Sequence, residues 1–131
     1  MLKQRGFRPI FPVTCDQSDR TARKIIYHPI LIMEVLSPST EAFDRGRKFS
    51  NYRRIDSLKE YVLVDVDRMA VECYRRNQQG IWELSPYIPE ETGTNGIEME
   101  IQLQSVDFHC PISLVYEDVV FPEDNLDSAE N

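Results

Sequence analysis

The pattern of apolar positions changes character twice along the chain. Ile30-Leu31-Ile32-Met33-Glu34-Val35-Leu36 is nearly continuous apolar sequence bounded by Pro29 and Pro38. It is too short for a buried helix and suits a central strand covered on both faces. Glu60-Tyr61-Val62-Leu63-Val64-Asp65-Val66 predicts a second buried strand of the same kind. The intervening Glu41 to Arg54 carries a helical period. At about 100° per residue Glu41, Asp44, Lys48, Tyr52 and Ile55 fall on one side, with Ala42 and Phe49 on the adjoining apolar stripe. A helix of this length between two buried strands is the crossover that parallel pairing requires. Pro38 suits a first helical turn, with Ser37, Ser39 or Thr40 as its cap.

From Ala70 the pattern becomes alternation. Ala70 to Arg76 and Ile81 to Tyr87, joined by a turn over Asn77 to Gly80, predict an antiparallel hairpin. Ile97 to Leu103 predicts a further strand, and Pro111 to Val120 a short amphipathic helical turn. Upstream, Arg8 to Cys15 reads as a short extended segment whose two prolines remove ladder donors and confine it to an edge. Asp16 to Lys24 is a polar loop. The expected architecture is α/β (α+β), a mixed sheet with a flanking helix.

A chain of 131 residues supports one domain, here expected over residues 1–121, followed by an acidic tail, residues 122–131, expected to be solvated and disordered. No window has the roughly 18 uninterrupted apolar residues of a membrane span, and no signal-peptide core is present. A soluble, cytoplasmic protein with no membrane partner is expected. Cys15, Cys73 and Cys110 are odd in number and lack paired spacing, so neither a disulfide framework nor a structural zinc site is indicated. The net charge of -7 opposes non-specific binding to nucleic-acid backbones. A DNA-binding role must rest on a local patch, and Arg45, Arg47, Lys48, Arg53 and Arg54 crowd the predicted helix.

Glu34 is an ionisable residue inside a run that otherwise excludes charge, and such a carboxylate requires a partner, a metal or a raised pKa. A divalent metal that activates water against a phosphodiester needs carboxylate and carbonyl oxygens, with a lysine nearby to orient the water or offset negative charge. Glu34, the Val35 carbonyl and Lys48 would supply most of that set. A buried Glu34–Lys48 ion pair, or an ordinary Asp44–Lys48 pair along the helix, satisfies the same spacing and is the commoner outcome. His28 and His109 lack ligand spacing, Trp82, Tyr74 and Tyr87 read as packing residues, and Ser37 has no nucleophile elbow.

The residues themselves say more than their spacing. The run His28 to Thr40, then Asp44-Arg45-Gly46-Arg47-Lys48-Phe49, Tyr52-Arg53 and Ser57 to Asp65 closely resembles the Uma-two family of restriction endonuclease-like proteins, within the PD-(D/E)XK nuclease superfamily. The likeness extends from about Phe7 to Phe121. It implies a restriction endonuclease-like mixed sheet, magnesium-dependent hydrolysis of DNA phosphodiesters and, in many members, a homodimer. It equates Glu34 with the second acidic residue of the nuclease motif, and Lys48 with the motif lysine, displaced from position 36 where Leu36 stands. Asp44 and Tyr52 also fall on characteristic positions. The first metal-binding aspartate follows a proline in such nucleases, and the corresponding pair here is Pro9-Ile10; Asp16 could substitute if its loop folds back. Members also carry an N-terminal region before that pair, so the chain reads as a truncated or diverged member. The resemblance therefore leaves an alternative, a catalytically inactive member acting as a dimerising or interaction module.

Overall fold

The structure is a computed structural model and describes residues 10–14, 28–36, 41–95, 97–119 and 121. Of the side chains within these elements, those of residues 10, 11 and 41–45 lie outside the description. Five strands form one sheet in the order β1 (Ile10–Thr14), β2 (Pro29–Leu36), β3 (Glu60–Asp65), β4 (Val71–Arg76) and β5 (Trp82–Tyr87). Helix α1 (Glu41–Tyr52) crosses from β2 to β3, which pair in parallel from Leu31–Glu60 to Leu36–Asp65. The other three pairings are antiparallel, so the sheet is mixed, as the change from continuous to alternating apolar sequence predicts.

The edge positions of β1 and β5 explain their prolines. Pro12 and Pro86 lie in strands that each have one neighbour among the described residues, where a missing N–H can face outward without breaking a ladder bond. The β4–β5 turn places Gly80 at φ 79°, a conformation glycine adopts without side-chain strain, and the Asn77 side chain accepts from the N–H groups of Gln79 and Ile81.

The sheet separates two apolar clusters. On one face Leu31, Val62, Val64, Val71 and Cys73 pack against a second sheet of β6 (Glu100–Leu103) and β7 (Phe108–Pro111) and against the short helix α3 (Ile112–Val115). A second short helix, α2 (Pro89–Thr92), follows β5, and Gln104–Val106 forms a 3-10 turn between β6 and β7. On the other face Ile32, Leu36, Leu58, Tyr61 and Leu63 receive Phe49 and Tyr52 from α1, together with Ile55, Tyr74 and Trp82. Helix α1 packs Phe49 tilted against Tyr74 and edge-on to Trp82, with ring centroids 4.5 and 5.4 Å apart.

A buried ion pair joins the first of these faces to the β6–β7 layer. Glu60, 2% exposed, accepts from Arg75 Nε at 2.8 Å and from the backbone N–H groups of Gln104 and Ser105. Arg75 uses its other nitrogens on the Ser85 and Tyr87 hydroxyls and the Gln102 carbonyl. The pair therefore meets the hydrogen-bonding condition under which a buried charge is tolerated.

Candidate active site

Residues Ile32, Glu34 and Leu36 of β2 point to the helix side of the sheet, because the strand period is two and Ile32 and Leu36 belong to that cluster. Glu34 is consequently buried, at 0% exposure, beneath α1. Lys48 lies one turn before Tyr52 on the side of α1 that meets the sheet, and its Nζ donates to Glu34 Oε1 at 2.5 Å. The lysine side chain keeps 27% exposure, so its charged end reaches inward while its stem borders solvent. The Tyr61 hydroxyl donates to the other carboxylate oxygen, Oε2, at 2.6 Å. Burial, the hydrogen bond to Glu34 and the charge of Glu34 all hold the Tyr61 phenol well above its ordinary range, so this donor stays protonated.

Tyr52 contributes through its ring, 5.2 Å from that of Tyr61. Asp44 lies on the same helix one turn before Lys48, and its side chain is outside the described residues, as are Ser37, Pro38, Ser39 and Thr40 of the turn and Asp16 of the loop. The Val35 carbonyl is placed by strand geometry. The Ile30 and Leu36 carbonyls accept from Lys59 and Val66, on the β3 side. Alternation therefore turns the Val35 carbonyl toward β1, past Ile10–Glu34, the last described pair of that ladder. Ile10 stands directly across the ladder from Glu34.

Among the described residues no group of three or more His, Cys, Asp or Glu side chains could hold a metal ion. Glu72, 7% exposed, faces the same side as Glu34 but is two strands away through the Glu34–Leu63–Glu72 register, roughly 10 Å at ordinary strand spacing. Among the described residues the donors at this point are thus the Glu34 carboxylate, on which Lys48 Nζ and the Tyr61 hydroxyl lie, and the Val35 main-chain carbonyl. Magnesium keeps several waters and is commonly held by one or two carboxylates plus substrate phosphate oxygens, so these two donors would be part of such a site.

The helix bearing Lys48 is anchored at its end. Arg76 donates to the carbonyls of Arg53, Ile55 and Asp56 at 2.9–3.1 Å and lies over the Trp82 ring at 4.9 Å. Arg47, Arg53 and Arg54 are exposed on or just after the same helix, which makes its outer side locally basic in an acidic chain. His109 lies on exposed β7 against Glu100, away from this site.

Sequence reasoning places Glu34 and Lys48 on adjoining elements, and the structure brings them into contact. It does not single out Tyr61 or the Glu60–Arg75 pair. Tyr61 reads as one more apolar strand position, and its only signal is a hydroxyl two residues before Leu63, the residue that pairs with Glu34.

A five-stranded mixed sheet with a helix on one face and a small second sheet on the other is an α+β, nuclease-like architecture. The chain belongs to the Uma2 family, described as "Putative restriction endonuclease", which matches residues 4–107. Two relatives from Synechocystis sp. (strain ATCC 27184 / PCC 6803 / Kazusa) are similar to it. The uncharacterized protein slr1290 is 34% identical over 113 residues, 86% of this chain and 55% of the relative. The uncharacterized protein sll1609 is 40% identical over 65 residues, 50% of this chain and 37% of the relative. The chain thus spans about half the length, or less, of these curated relatives. No helix among the described residues is long and apolar enough to cross a membrane.

Proposed function

We propose that this chain carries the active site of a magnesium-dependent endonuclease that hydrolyses DNA phosphodiesters, with Glu34 and Lys48 as its catalytic pair. The observation that supports this reading most is the contact between Lys48 Nζ and Glu34 Oε1, made across a strand and a crossover helix by a carboxylate with no exposure to water. Glu34 and the Val35 carbonyl would hold the ion. A bound magnesium ion supplies neutralisation of phosphate charge and activation of water. Lys48, whose ammonium sits on a four-carbon stem and whose side chain is partly exposed, orients the attacking water or offsets charge on the scissile phosphate. Tyr52 and Asp44 keep the helix face aligned over the strand end. The exposed Arg47, Arg53 and Arg54 supply phosphate contacts that the overall charge of -7 does not.

Conversion of supercoiled plasmid to nicked and linear forms tests the reading. Cleavage is expected with Mg²⁺, to be lost on chelation, and to fall by at least about a hundredfold in Glu34→Ala and Lys48→Ala, since each removes a charge acting on the transition state. Cleavage indifferent to both substitutions discards the assignment. A second reading, a non-catalytic family member acting as an interaction module or homodimer, is favoured by Ile10 opposite Glu34. Absence of cleavage together with a concentration-dependent dimer in sedimentation would support it.

A further inference from the structure

Where β3 begins and β4 ends, a cavity of about 220 Å³ opens at the end of the sheet, lined by Lys59, Glu60, Arg75, Arg76, Gln104 and Ser105. It gathers three cations around one carboxylate in a chain whose net charge is -7. Glu60 does not cancel all three, because it is committed to Arg75 Nε and to the backbone N–H groups of Gln104 and Ser105. Lys59 and Arg76 pair with no carboxylate among the described residues. Arg76 is nonetheless held in place: three of its five N–H groups donate to the carbonyls of Arg53, Ile55 and Asp56, and its guanidinium lies over Trp82. Its Nε–H and one Nη1–H remain free on a group that is positioned before any ligand arrives. Lys59 is exposed, with all three ammonium donors free among the described residues. In the same wall the buried Ser105 hydroxyl has no hydrogen-bond partner among the described residues, although buried polar groups ordinarily find one in the protein or in a bound group.

We propose that this cavity binds a phosphate group, held by Lys59 and Arg76. A phosphate presents several acceptor oxygens around one centre, which suits an ammonium and a guanidinium that line one cavity and lack an acidic partner. The inference goes beyond the nuclease reading and uses neither Glu34 nor Lys48. Glu60 pairs with Leu31, three residues before Glu34 on β2, so the cavity lies roughly 10 Å along the strand from that contact. A nucleic-acid backbone and a small phosphate compound offer the same group.

Calorimetric titration of the full chain with inorganic phosphate, and separately with a short DNA duplex in EDTA, tests the proposal. The wild-type protein is expected to bind phosphate. Lys59→Ala, a change at an exposed side chain, is expected to weaken that binding by about tenfold, the loss of one charge-assisted hydrogen bond. Arg68→Ala makes the same change of net charge beyond the other end of β3 and is expected to leave phosphate affinity unchanged. If the phosphate belongs to a nucleic-acid backbone, Lys59→Ala also weakens duplex binding and reduces its salt slope by about one. If it belongs to a small compound, duplex binding is the same in both proteins. A wild-type protein that binds no phosphate overturns the proposal, as does an undiminished affinity in Lys59→Ala or an equal loss in Lys59→Ala and Arg68→Ala. Plasmid cleavage enters neither titration, so the nuclease reading stands or falls separately.

Discussion

Replacing Lys48 by methionine keeps most of the side-chain length and removes the charge opposite Glu34. The carboxylate, at 0% exposure, is left with the Tyr61 hydroxyl but without its cation. Breaking a buried pair from one side costs about 3–5 kcal/mol in well-enclosed cases. Lys48 retains 27% exposure and Tyr61 still donates, so the lower end, about 3 kcal/mol, is the expected loss. For a domain of this size that corresponds to a fall of about 10 °C in Tm. Glu34→Gln leaves a neutral acceptor for Tyr61 and lets Lys48 turn toward solvent, at a cost of about 1 kcal/mol. The double variant Glu34→Gln/Lys48→Met has no buried charge left to strand, so it is expected to be more stable than Lys48→Met alone. The coupling energy is then about 2 kcal/mol in a urea-unfolding double-mutant cycle. Single effects that simply add, to within about 0.5 kcal/mol, would refute the claim that these groups form one buried unit.

Three further outcomes are expected. Ile10→Asp places a carboxylate across the ladder from Glu34 and is expected to tighten Mg²⁺ binding by at least about tenfold in calorimetry; unchanged affinity would separate Ile10 from the site. Gly46 lies exposed in α1 with nothing within 4 Å of the place a Cβ would take, so Gly46→Ala is expected to raise stability by about 0.5–1 kcal/mol in thermal melts, and a loss would contradict the open helix surface. Burial pushes the Cys73 thiol up to about 12 and the Tyr61 phenol higher than its ordinary value. Both folded-state values are raised, so the unfolded chain loses these protons first. The thiol's contribution is present in full below the unfolded thiol range near pH 8.5 and is lost as pH rises through about 12, whereas the phenol's begins to fall only above the unfolded phenol range near pH 10; each falls at up to about 1.4 kcal/mol per pH unit. Urea titrations between pH 8 and 11 with flat stability would contradict this, as would alkylation of Cys73 at pH 8.5 without unfolding.

Much of the fold was legible because it is written in local periodicity. The apolar run around Glu34 became the interior strand β2, the second run β3, and the helical period α1, with the parallel pairing that a crossover enforces. The alternating segments became β4 and β5, although the predicted strand from Ile97 shortened to Glu100–Leu103 because Asn95 accepts from Ile97 and Glu98 and holds a turn there. Strand β7 and the short α2 left no comparable periodic mark, each being only four residues long. At the site, a charge within an apolar strand and a lysine on the buried side of a helix were visible as separate anomalies. Their contact, and the Tyr61 hydroxyl that completes it, depend on register between strands far apart in sequence. The Glu60–Arg75 pair was hidden for the same reason, since the two residues belong to separate predicted strands and meet only through the β3–β4 register.

Anomalous diffraction from crystals grown with Mn²⁺, a stand-in for magnesium, tests the central claim most directly. The account predicts a peak within about 2.5 Å of Glu34 Oε1 and of the Val35 carbonyl oxygen, with Lys48 Nζ beside it and Tyr61 still bonded to Oε2. A peak located elsewhere, or no peak at the Glu34 carboxylate at saturating Mn²⁺, would contradict it.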